Sequence, residues 1–108
     1  MKYLGNGLSL GMLLKIPQGK IKFRWISEVK AKKIARDAKS IVGHESTAIF
    51  YKNILQREVP VNRQDIQLLP GDELIVYQIM RRLPEGRILC VRELIDEKRA
   101  AWIHVKIE

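Results

Sequence analysis

Gly43-His44-Glu45-Ser46-Thr47 is the stretch of the chain best suited to chemistry. A glycine precedes small hydroxyl-bearing residues, and an amphipathic run follows, which is the pattern of a helix start. The first turn of a helix leaves backbone N–H groups without partners at the positive end of its dipole, so anions bind there readily. A histidine in that place can touch a bound phosphate and move a proton near neutral pH. By itself, the segment favours a plainer reading, a capped helix with a surface histidine.

The second half of the chain adds weight. Glu73 to Met80 is apolar on both faces, with Leu74, Val76 and Met80 on one and Ile75, Tyr77 and Ile79 on the other. That predicts a strand covered on both sides, in the middle of a sheet. Gln78 interrupts the first row, and a buried amide needs partners or a ligand that supplies them. The same period of two puts Arg82 on the Gln78 face, just past the strand end, and Arg81 on the opposite face. An arginine there can offset phosphate charge. The plain alternative is a solvated arginine, with Gln78 satisfied by a neighbour.

The remaining elements must hold these residues. Met1 to Leu4 is a short strand running into Gly5-Asn6-Gly7-Leu8-Ser9, a turn with positive-φ options and exposed N–H groups. Ser9 to Ile16 reads as a short helical or irregular apolar segment stopped by Pro17. Gly19 to Trp25 alternates Ile21, Phe23 and Trp25 with Lys20, Lys22 and Arg24, a half-buried strand. Ser27 caps a helix to about Lys39, with Ile34, Ala38 and Ile41 at core spacing. A second helix runs from about Glu45 to Gln56 on a stripe of Ala48, Tyr51, Ile54 and Leu55. Val59-Pro60-Val61 is extended, Asn62-Arg63 borders a loop, and Pro70-Gly71-Asp72 is a turn. Leu83-Pro84-Glu85-Gly86 is another turn, and Cys90 to Lys98 a short helix. Ala101 to Ile107 is a last strand, with Ala101, Ile103, Val105 and Ile107 inward. Trp102 shares the other face with His104 and Lys106, exposed and suited to a partner surface. The pattern is α/β (α+β): a small single domain over 1–108, with a mixed sheet of about five strands flanked by helices.

Composition narrows the function. The 108 residues carry 20 Lys+Arg against 12 Asp+Glu, a net charge of +8, which points to polyanionic partners. Cys90 is the one cysteine, so no intrachain disulfide forms, as fits a reducing cytoplasm. Cys90, His44 and His104 lack metal-ligand spacing, so no metal is expected. Leu8 to Ile16 is too short to span a bilayer, and no membrane partner is expected. No segment has the layout of a signal peptide.

Taken together, Asn6-x-x-Ser9, Gly43-His44-Glu45-Ser46-Thr47, Asn62-Arg63, and Gln78 with Arg82-Leu83-Pro84-Glu85-Gly86 resemble the viral anti-CRISPR ring nucleases of type III systems. The resemblance covers nearly the whole chain in order. It implies a homodimer that binds cyclic tetra-adenylate across its two-fold axis and cleaves it without metal or cofactor. The implied product is linear di-adenylate ending in a 2′,3′-cyclic phosphate. It further implies that His44 is the general acid, Arg82 the phosphate-stabilising arginine and Glu85 the acidic partner near it. Asn6, Ser9, Arg63 and Gln78 are the implied ligand contacts. On this reading the protein works in the cytoplasm, that of the host cell if it is viral, and needs no long nucleic acid. A non-catalytic nucleic-acid-binding viral regulator is the alternative, supported by the charge and the basic first helix but by no helix-turn-helix or stacking platform.

Overall fold

A computed structural model of the chain describes residues 1–79 and 100–108. Its sheet has five strands: β1 (Lys2–Gly5), β2 (Ile21–Ile26), β3 (Lys39–Ser40), β4 (Glu73–Ile79) and β5 (Ala100–Ile107), in the order β2-β5-β4-β1-β3. β1 pairs in parallel with β3 and β4, while β5 is antiparallel to β4 and to β2. The mixed sheet of an α+β domain is therefore as expected, with β4 in its middle. Only β5 runs against the rest.

Strand alternation divides the core in two. Leu4, Ile75, Tyr77 and Trp102 face helices α1 (Glu28–Ile34) and α2 (Glu45–Leu55), meeting Ala31, Ala48, Tyr51 and Leu55. Alanines on the helices leave room for the aromatic side chains rising from the sheet. Tyr3, Leu74, Val76, Val105 and Ile107 face the other way, covered by Leu68 and by Met12, Leu13 and Ile16 around a 3-10 turn at Leu10–Leu13. Leu4, Leu74 and Ile75 are fully buried, each worth about 1.5–3 kcal/mol of transfer free energy.

α1 starts where expected, with the Ser27 hydroxyl accepting from the Lys30 N–H at 3.2 Å. It ends at Ile34, earlier than the core spacing of Ile34, Ala38 and Ile41 predicts. A 3-10 turn over Ala35–Asp37 follows, and then β3, a two-residue strand too short to carry a periodic signal. Arg57 fixes this exit by donating to the carbonyls of Ala35 and Ala38 at 2.6 and 2.8 Å. The Pro70-Gly71-Asp72 turn forms as read, with Gly71 at φ 95°, where a side chain would be strained.

Two faces differ from expectation. Ile21, Phe23 and Trp25 do share a face, opposite Ile107, Val105 and Ile103 on β5, but all three are exposed. β2 is an edge strand, and the covering layer stops before reaching it. Trp102, expected outside, is only 2% exposed and packs on Tyr51 and Tyr77 with ring centroids 5.1 and 5.0 Å away. The turn at Leu83–Gly86, the helix over Cys90–Lys98, Arg81, Arg82 and Glu85 lie outside the described residues.

Candidate functional site

The carboxyl ends of β1, β3 and β4 lie together because these strands are parallel. β1 runs into Asn6, β3 leads through Ile41 to Gly43 and His44, and β4 ends just beyond Gln78. A crevice outside the carboxyl ends of strands is where open mixed α/β sheets bind ligands. Here a cleft of about 170 Å³ opens, lined among others by Asn6, Gly7, Gly43, His44, Arg63 and Asp65.

Each side chain has a local reason for its place. His44 is the N-cap of α2 in extended conformation, φ −128° and ψ 134°, and its ring makes no capping bond. The imidazole is thus exposed at the positive end of an 11-residue helix. Asn6 is exposed, and its Oδ1 accepts from the Gly43 N–H at 2.8 Å. It ties the end of β1 to the residue before His44. Asn6 is therefore first a brace that also lines the cleft.

Arg63 reaches Gly43 because the loop before it is fastened to β3. The Asn62 N–H donates to the Val42 carbonyl at 2.8 Å, and the Asn62 Nδ2 to the Ser40 carbonyl at 2.9 Å. The Ser40 hydroxyl donates to the Pro60 carbonyl at 2.7 Å. The stem of Arg63 then lies over Gly43, where an added Cβ would stand 3.1 Å from its Cγ. A side chain there would make the Arg63 stem give way by a few tenths of an ångström.

Behind the cleft sits Tyr51, whose hydroxyl donates to the Gly5 carbonyl at 2.9 Å and accepts from the Tyr77 N–H at 3.0 Å. In a parallel pair with Gly5 opposite Val76, the next rung would join those two backbone groups directly. The phenol bridges those same two groups. Burial pushes its pKa from 10.0 up to about 12.

Of the residues expected at the site, the fold brings Asn6, His44 and Arg63 into one cleft. Ser9 heads the 3-10 turn without a capping bond and does not line it. Gln78 is at the same sheet end and in β4 as expected, but it is exposed, so the expectation of a buried amide is corrected. Asp65 and Tyr51 were not singled out as site residues from the sequence, and Asn62 entered only as part of the Asn62-Arg63 motif, without a role of its own. A hydroxyl in the helix core stripe, which needs a partner when buried, was the available signal for Tyr51. Among the described residues no group of three or more His, Cys, Asp or Glu is placed to hold a metal ion. No described helix is long and apolar enough to cross a membrane.

Fold and cleft define a small mixed-sheet α+β domain with polar groups gathered at the carboxyl ends of its parallel strands. The chain belongs to the STIV B116-like family, whose model matches residues 2–103. It is 34% identical over 82 residues to uncharacterized protein ORF117 of Acidianus two-tailed virus, covering 71% of this chain and 70% of that one. Uncharacterized protein 26 of a Sulfolobus islandicus filamentous virus is 40% identical over 58 residues, covering 54% of this chain. That match spans about half, 49%, of the relative's length. The structure of B116 of Sulfolobus turreted icosahedral virus superposes with a TM-score of 0.77 over 97% of both chains at 23% identity, which shows the shared fold. The chain is thus a member of a family with viral proteins.

Proposed function

We propose that this protein is a ring nuclease that cleaves cyclic tetra-adenylate to linear di-adenylate and so switches off type III CRISPR signalling. The observation that carries the reading is the meeting of Asn6, His44 and Arg63, far apart in sequence, around one cleft at a helix N-terminus. The substrate's 2′-hydroxyl loses its proton to solvent as its oxygen attacks the neighbouring phosphorus, the bond to the 5′-oxygen breaks, and a 2′,3′-cyclic phosphate remains. His44 is exposed where it can protonate the leaving 5′-oxygen. Arg63 supplies positive charge to the bound phosphates. The resemblance gives Arg82 the transition-state charge and Glu85 the place beside it. Ser9 and Gln78 are the proposed contacts further out.

A cleft of about 170 Å³ is below the roughly 300–1,000 Å³ of small-molecule sites. A cyclic tetranucleotide would need two of them, which supports a homodimer with identical groups facing opposite halves of the ring. Light scattering at micromolar concentration tests the dimer; a stable monomer that binds the ring tightly would overturn it.

The decisive experiment incubates the protein with cyclic oligoadenylates of several ring sizes in EDTA and separates the products by chromatography. Cleavage of the tetra-adenylate ring to products with 2′,3′-cyclic phosphate ends is expected. His44→Ala should retain fold and binding yet lose about 10²–10⁴-fold in turnover. Full activity in that variant, or activity abolished by chelator, refutes the mechanism. Steeply salt-dependent binding of long duplex without turnover would favour the non-catalytic nucleic-acid reading.

A further inference from the structure

The opposite end of the sheet holds a larger cleft, about 270 Å³, which shares no described residue with the one at His44. It is lined by Lys22, Phe23, Arg24, Glu73, His104 and Lys106. Strand register makes its composition unusual. Lys22 stands directly opposite Lys106, and Arg24 directly opposite His104, on one face of an antiparallel pair. Like charges placed so are destabilising. The next strand offers Glu73 opposite Lys106, which could neutralise the pair. Instead its Oε1 lies 2.8 Å from Nε2 of His104. Among the described residues no carboxylate pairs with Lys22, Arg24 or Lys106.

We infer that this cleft is a second binding site, for a multiply charged phosphate group. Arg24 offers a planar fork suited to phosphate oxygens, and the two lysines offer point charges on either side. The His104–Glu73 pair holds the lining carboxylate away from the lysines, so the anion is their counter-charge. The ligand chemistry is adjacent phosphates, from either a free diphosphate group or the backbone of a short nucleic-acid strand.

Thermal unfolding at low ionic strength, with inorganic pyrophosphate as probe, tests this. The wild type should be stabilised saturably. Lys106→Gln should unfold at a higher temperature than wild type without ligand, because the opposed lysines are relieved and no second carboxylate is set opposite Glu73, and should bind pyrophosphate about tenfold or more weakly. Lys22→Glu should show the same weakening. His44→Ala should respond as wild type does. An oligothymidylate that displaces pyrophosphate assigns the site to a strand, and one that does not assigns it to a free diphosphate; both support the site. No saturable stabilisation, an undiminished response in both lysine variants, or a response lost in His44→Ala would overturn it. The His44 result is independent of whether the chain cleaves a cyclic oligoadenylate.

Discussion

Tyr51→Phe is the most informative single-atom perturbation of this fold. The lost hydroxyl serves two buried backbone groups, the Gly5 carbonyl and the Tyr77 N–H. An unsatisfied buried polar group costs about 1–3 kcal/mol, so the pair sets an upper range of about 2–6 kcal/mol. Relaxation reduces it, because in the β1–β4 register the Gly5 carbonyl and the Tyr77 N–H can pair with each other. About 2–3 kcal/mol is expected, a large share of the roughly 5–15 kcal/mol by which a domain is stable. At about 4–8 °C per kcal/mol for a domain near this size, Tm should fall by roughly 10–20 °C, read by circular dichroism. The substitution should also remove a pH dependence. The raised pKa means that the unfolded chain ionises at about 10 and the folded chain only near 12. Stability is therefore full below pH 10 and declines as pH rises towards 12. In Tyr51→Phe that part of the alkaline decline should vanish. A Tm within about 2 °C of wild type, with the alkaline decline intact, would refute the bridging role.

Other substitutions separate positioning from folding. Gly43→Ala should leave the fold intact but displace Arg63, whose Cγ would lie 3.1 Å from the new Cβ; weakened ligand binding with unchanged Tm is the expected pair of results. Asn6→Ala should cost only about 0.5–1.5 kcal/mol in denaturant titration, because its bond to Gly43 is exposed, while the proposed cleavage of cyclic tetra-adenylate should fall further as the His44 loop loosens. Gln56 ends α2 at φ 53°, so Gln56→Gly should raise stability by up to about 1 kcal/mol in the same titration.

How much was legible follows from what periodicity encodes. Alternation tells which side chains share a face, and it did so for β4 and for Ile21, Phe23 and Trp25 on β2. It does not tell which face is covered, or where cover ends. Trp102 and Trp25 exchanged their expected environments for that reason. α2 was legible almost to the residue because its stripe and first-turn chemistry agree. β3 was not, since two residues carry no period. At the site, motif resemblance selected Asn6, His44 and Arg63, but no spacing could foresee that Asn6 spends its oxygen on the Gly43 N–H. That bond depends on parallel pairing between β1 and β3, a contact between residues far apart in the chain.

The two indoles also give the molecule two separate optical reporters. Trp102 is 2% exposed and lies about 5 Å from two tyrosine rings, which places it within efficient energy transfer from both. Its emission should be blue-shifted and should follow the integrity of the core. Trp25 is 48% exposed on the edge strand, next in the chain to Arg24, so its emission should be red-shifted and open to soluble quenchers. Neither indole lines the cleft at His44. Acrylamide quenching in the unmodified protein can therefore distinguish occupancy near β2 from occupancy at the helix start, before any label is attached.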